Sequence, residues 1–140
     1  MGTTYAEITL TNLTDITHAR AGLIKPEDIR SVTVQAIVDT GAMSLVINEE
    51  LCQKLGLTIK RERPVLVANG ERIICKETES VEIKWKDRDT VLWTTVIPGA
   101  KKVLLGAIPL ESMDLMVNPV TQELVGAHGD VMETMVLLAG

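Results

Sequence analysis

The sequence predicts an all-β protein, a closed β-barrel or folded sheet carrying two short helices. Three observations point there. Short apolar runs with period-two alternation recur at roughly the 8- to 12-residue spacing of barrels and sandwiches. The apolar residues are mostly Val, Ile, Leu, Ala and Met, with two Trp, one Tyr and no Phe, and β-branched side chains suit a pleated surface. Helical signals are confined to two brief segments. With 140 residues, the chain has the length of one domain, 1–140, able to bury roughly two-thirds of the surface its unfolded form exposes.

Tyr5 to Thr11 alternates, with Ala6, Ile8 and Leu10 on one face, as a half-buried strand does. From Asn12 to Arg30 the alternation fades, and Lys25-Pro26-Glu27-Asp28 reads as a turn or a single helical turn. Ser31 to Val38 is the strongest strand signal, and it runs straight into Asp39-Thr40-Gly41. Leu45-Val46-Ile47 follows as a short apolar strand. Asn48 then caps a helix whose first turn holds Glu49 and Glu50, whose buried face is Leu51, Cys52 and Leu55, and whose end is marked by Gly56.

Val65 to Ala68 and Arg72 to Cys75 flank Asn69-Gly70, a hairpin signal because both turn residues tolerate positive φ. Val81 to Trp85 and Val91 to Ile97 read as strands joined by the polar turn Lys86-Asp87-Arg88-Asp89. Val103-Leu104-Leu105 is a fully apolar strand ending at Gly106, and Pro109 opens the second helix, with Leu110 and Met113 buried. Leu115-Met116-Val117 and Glu123-Leu124-Val125 flank a hairpin-like connection, and the apolar tail Val131 to Leu138 suits a last strand.

Charge and cysteine usage exclude several functions. A net charge of −5 with scattered Lys and Arg repels phosphate backbones, so nucleic acid is not an expected partner. The sequence contains no 18-residue apolar run, and its first ten residues carry neither a basic leader nor an apolar core, so the expectation is a soluble cytoplasmic protein with no membrane partner. Cys52 and Cys75 lack metal or redox spacing and are expected as buried free thiols; with His18 and His128 also isolated, no metal site or cofactor is expected.

An ionisable carboxylate, a hydroxyl and a glycine at the end of a core strand read on their own as a turn. The order of the surrounding elements changes that reading. An apolar strand ending in Asp39-Thr40-Gly41-Ala42, then a hairpin at Asn69-Gly70, then an apolar strand ending at Gly106 with a short helix after it, resembles the retropepsin-like aspartic proteases. The resemblance runs from about residue 31 to 117. The stretch from Leu104 to Glu111, followed by Leu115-Met116-Val117-Asn118-Pro119, is similar to bacterial and archaeal single-domain members.

The resemblance implies roles for few residues. Asp39 matches the catalytic aspartate; Thr40, Gly41, Ala42 and Gly106 match the residues that brace the active-site loop. Val67, Ala68, Asn69 and Gly70 correspond to the flap over a bound peptide. Met43 and Ser44 stand where viral members carry acidic residues, and the hairpin lacks the several glycines of viral flaps. The chain holds one Asp-Thr-Gly, so it supplies half of a two-carboxylate site, and the implied active species is a C2 homodimer hydrolysing peptides or unfolded protein. The alternatives are a catalytically silent peptide-binding or dimerisation module, and a thiol or metal protein built on Cys52 or Cys75.

Overall fold

The computed structural model describes residues 2–132, and it is built mainly of strands. In chain order these are β1 (Tyr5–Asn12), α1 (Leu13–Arg20), a 3-10 turn at Pro26–Asp28, β2 (Ser31–Val38), β3 (Leu45–Ile47), α2 (Glu49–Lys54), β4 (Ile59–Leu66), β5 (Arg72–Thr78), β6 (Val81–Trp85), β7 (Arg88–Leu92), β8 (Thr94–Val96), β9 (Val103–Leu105), α3 (Ala107–Ser112), β10 (Leu115–Val117) and β11 (Leu124–Gly126). Nine strands form one mixed sheet in the order β4-β5-β8-β3-β9-β2-β1-β6-β7, and β10 pairs with β11. The expected tail strand lies outside the described residues from position 133 onward.

The sheet is not closed into a barrel, which corrects half of the expected architecture. Its two ends are instead the two halves of one bent hairpin: β5 runs into β6 and β8 follows β7, yet β5–β8 and β6–β7 sit at opposite ends of the strand order. The bend falls where the ladder breaks, and hydroxyls bridge it. Thr78 and Thr94, both fully buried, share a 2.8 Å hydrogen bond between their Oγ1 atoms, and the Thr94 amide donates to Thr78 Oγ1 at 3.2 Å. The Thr94 amide is thereby satisfied inside the core.

Ile8, Leu10, Leu45, Ile47, Leu55, Ile83, Leu105 and Met113 lie in the fully buried centre, drawn from β1, β3, β6, β9 and the C-terminal caps of α2 and α3. Alternation is why β1 contributes Ala6, Ile8 and Leu10 and leaves Tyr5 and Glu7 outside. Asn48 caps α2 as expected, its side chain accepting the Leu51 amide at 2.8 Å, and Gly56 takes φ +62 just beyond the end.

Several local expectations shift. The helix α1 was not expected; its signal is Asn12, whose side chain accepts the Asp15 amide at 3.0 Å, with an acid three residues after the cap. The helix α3 begins at Ala107, two residues before Pro109. The turn between β6 and β7 is only Lys86-Asp87, so Arg88 is a buried strand residue. Trp93 lies between β7 and β8, and the strands around Asn69-Gly70 pair out to Leu66↔Arg72, leaving a five-residue connection in which Gly70 alone has positive φ.

Asp15 is 5% exposed and holds the segment between α1 and β2. It accepts the Arg30 guanidinium at 2.9 Å on each carboxylate oxygen and the Arg30 amide at 3.0 Å. The guanidinium hydrogen bonds hold its carboxyl below the usual carboxylate range. A depressed native pKa contributes stability that is present above the unfolded value and is lost as pH falls through the native one. Asp15→Asn should therefore cost roughly 1–3 kcal/mol at neutral pH, and the difference from the parent chain should shrink in urea melts at strongly acidic pH.

Candidate active site

The site is built where β9 threads between two strands that belong to one loop. β2 pairs with β9 in parallel, Val38 opposite Leu105, and β3 pairs with β9 antiparallel, Leu45 opposite Leu105. The connection from Asp39 to Ser44 must therefore pass around the end of β9, over Gly106. Backbone bonds fix it there. The Asp39 amide donates to Leu105 O at 3.0 Å, the Ala107 amide to Ala42 O at 2.8 Å and the Ile108 amide to Met43 O at 2.9 Å. At the far end Ser44 Oγ and Thr95 Oγ1 are 2.7 Å apart, tying the loop to β8.

Gly106 is where that approach is closest. A Cβ there would lie 2.3 Å from Ser44 O, 2.7 Å from Ala42 O and 2.8 Å from the Met43 carbonyl carbon. Only a residue without a side chain fits under the loop.

Asp39 is half-buried on top of this arrangement. Its Oδ1 accepts the Gly41 amide at 2.9 Å, and its carbonyl accepts the Ala42 amide at 3.1 Å. The turn thus orients the carboxylate through its own backbone. Among the described residues Oδ2 has no hydrogen-bond partner. Thr40 and Gly41 are exposed and Ala42 is half-buried, while Met43 is 72% exposed on a backbone pinned by α3.

Asp39, Thr40, Gly41, Ala42 and Gly106 therefore come together, although Asp39 and Gly106 are far apart in sequence. Val67, Ala68, Asn69 and Gly70 do not join them; they form the tip of the β4–β5 hairpin, where Gly70 N donates to Val67 O and Val67 N to Glu71 O, each at 2.9 Å. Only the base of this hairpin is held by the sheet, through Lys76↔Val96 and Glu77↔Thr95. The arm beyond carries exposed Leu66 and Ile74, and Pro64 is accommodated because β4 is the sheet edge. Glu77 braces the arm, with Arg63 at 2.9 Å and Arg61 at 3.4 Å.

The site is thus a carboxylate on a glycine loop pinned to β9, with the β4–β5 hairpin projecting separately from the sheet edge. Among known families, that described as gag-polyprotein putative aspartyl protease matches residues 27–112. The chain belongs to this family. The match spans β2 through α3, the elements that form the Asp39–Ser44 loop, the hairpin and the strand threaded through that loop. No curated protein matches the chain.

The other candidate chemistries find less support. Cys52 and Cys75 are free and buried, and desolvation pushes both thiols up, away from the thiolate a nucleophile needs. Among the described residues no group of three or more His, Cys, Asp and Glu is placed to hold a metal ion. No helix among them is long and apolar enough to cross a membrane.

Sequence reasoning missed two supports. Ser44 and Thr95 are bound across 51 positions, a contact no local pattern encodes. Arg88 is 3% exposed and donates to Met113 O at 3.0 Å, Asp114 O at 2.7 Å and Gly129 O, which ties β7 to the end of α3 and to the segment after β11. Its signal was the alternation of Arg88, Thr90 and Leu92, which sets the arginine on the inward face.

Proposed function

We propose that this chain is an aspartic endopeptidase of the single-domain bacterial and archaeal type, active as a homodimer on peptides or unfolded protein. The observation that carries the reading is the half-buried Asp39 carboxylate, present once per chain on a loop fixed by backbone bonds, with one oxygen held by Gly41 and the other without a hydrogen-bond partner among the described residues. Two copies about a two-fold axis bring two such carboxylates to a shared water. One, ionised, takes the water's proton as it attacks the peptide carbonyl; the other, protonated, gives its proton to the departing amine. Two carboxylates about 3 Å apart repel by several kcal/mol at an effective dielectric near 20, so the pair keeps one proton over a span of pH and titrates as a unit.

In this reading Thr40 and Gly41 line the dimer side of the loop, Ala42 and Gly106 hold it against β9, and Val67, Ala68, Asn69 and Gly70 close over an extended substrate that hydrogen-bonds to the hairpin. The chemistry requires neither metal nor cofactor. Two buried free thiols suit a reducing compartment, the cytoplasm.

Sedimentation and a diverse peptide library test the reading together. A dimer that cuts the library at mildly acidic pH is the expected result. A strict monomer at high concentration rules out the shared-carboxylate mechanism, and a dimer that leaves every peptide intact marks a binding module instead.

A further inference from the structure

The strand β8 is only three residues long, yet it joins the Asp39 loop to the hairpin. On one side it pairs with β5 at the hairpin base, Glu77 opposite Thr95 and Lys76 opposite Val96. On the other it pairs in parallel with β3, the strand that leaves the loop, Leu45 opposite Thr94 and Val46 opposite Thr95. Hairpin and loop are therefore registered against each other through one short segment.

The two threonines of β8 face opposite ways, as successive strand residues do. Thr94 is fully buried, and its hydroxyl meets Thr78 in the core at 2.8 Å. Thr95 turns to the other face, where its Oγ1 lies 2.7 Å from Ser44 Oγ. The backbone bonds of Asp39, Ala42 and Met43 go to Leu105, Ala107 and Ile108, so they hold the loop to β9 and α3. The Ser44 bond instead holds the last loop residue to the strand that carries the hairpin. Directly opposite residues of an antiparallel pair share a face. Glu77 stands across from Thr95, and Arg61 across from Glu77 with its guanidinium 3.4 Å from the carboxylate. A file of polar side chains, Arg61, Glu77, Thr95 and Ser44, crosses from the outer strand of the hairpin to the loop. Ser44 is buried, so a hydroxyl deprived of Thr95 is not simply returned to water.

We propose, on the reading of the chain as an aspartic protease, that Thr95 is a positioning residue: through Ser44 it fixes the Asp39 loop against the base of the hairpin, and so sets where the carboxylate stands relative to a bound peptide. Thr95 acts on the carboxylate only through Ser44 and the loop.

Valine is β-branched like threonine and suits a strand, so Thr95→Val removes the hydroxyl and little else. On a peptide that the parent cleaves, kcat should fall at least about tenfold with KM within about twofold, because a misplaced carboxylate weakens the transition state and spares ground-state binding. Thr95→Ser keeps the hydroxyl and should return kcat to within about threefold of the parent. Ser44→Ala removes the same bond from its other end; it should match Thr95→Val, and it decides the matter if Thr95→Val does not fold. A merely structural role would lower the melting temperature and leave kcat per folded dimer unchanged. Parent kinetics in Thr95→Val, a lost kcat that serine does not restore, or a rise in KM alone overturns the proposal. Amide hydrogen exchange separates this outcome from failure of the catalytic reading. The Ala107 and Ile108 amides, which donate to Ala42 O and Met43 O, should exchange at least about fivefold faster in Thr95→Val, with Leu10 and Ile83 in the core at the parent rate. If the parent cuts no peptide, the catalytic reading fails, and faster exchange still assigns the seating of the loop to Thr95. Unchanged Ala107 and Ile108 rates overturn the proposal whether or not the parent cleaves.

Discussion

Asp39→Asn should reduce peptide cleavage by about 10²–10⁴-fold or more while leaving the fold and the dimer in place. The magnitude follows from what the side chain is asked to do: a general acid or base positioned on the reacting atoms contributes about that much, and in a homodimer one substitution removes both partners at once. The amide has nearly the shape of the carboxylate, and its oxygen can still accept the Gly41 amide that Asp39 Oδ1 accepts at 2.9 Å. Half-burial at the loop makes the neutral side chain no harder to accommodate than the charged one. Initial rates on a cleaved library peptide, read beside sedimentation and thermal melts of parent and variant, check this. Cleavage that survives with an intact dimer removes Asp39 from the chemistry. For the parent, a shared proton predicts a bell-shaped rate profile whose limbs belong to the pair.

Elements held by local chemistry were legible in the sequence, and those held by distant partners were not. The cap at Asn48 and the end at Gly56 locate α2 to within a residue, because a cap is a bond between near neighbours. The alternation of β2 and the apolar run of β9 were likewise visible, and the resemblance that the order of the two glycine turns carries implied a place for Gly106 beside the Asp39 loop. What the order does not contain is the reason they meet, which is that β9 pairs with β2 on one side and β3 on the other. The open sheet is a result of the same kind. Strand count and spacing fit a closed barrel, but the path turns at Thr78 and Thr94, where side-chain hydroxyls replace ladder bonds. Arg88 was read as a turn residue because its charge outweighed its alternation; three backbone carbonyls that receive its donors are what permit it inside.

Gly106→Ala is expected to destabilise the protein by roughly 3–5 kcal/mol and to impair cleavage further than lost folded protein explains. Conformational strain is not the cause, since Gly106 has φ −87 and ψ −176, a backbone geometry open to any residue. The cost is steric. A Cβ would lie 2.3 Å from Ser44 O and 2.7 Å from Ala42 O, and both atoms are backbone, so no rotamer change relieves the contact. Over-packing of this kind typically costs about 1–3 kcal/mol. Relief requires lifting residues 42–44, which also breaks the Ala107 N to Ala42 O and Ile108 N to Met43 O bonds, at about 1 kcal/mol each. A melting temperature lower by on the order of 10 °C is the corresponding reading. The same displacement moves Asp39, which shares the loop, and a misplacement of about 1 Å can cost on the order of 100-fold in rate. Gly41→Ala provides the contrast: its Cβ would meet only Asp39 Oδ1, at 3.1 Å, on an exposed turn. It should melt close to the parent and lose activity alone. If Gly106→Ala melts with the parent as well, the loop is not seated on β9 as closely as these distances require, and the fixed carboxylate on which the catalytic reading depends is lost with it.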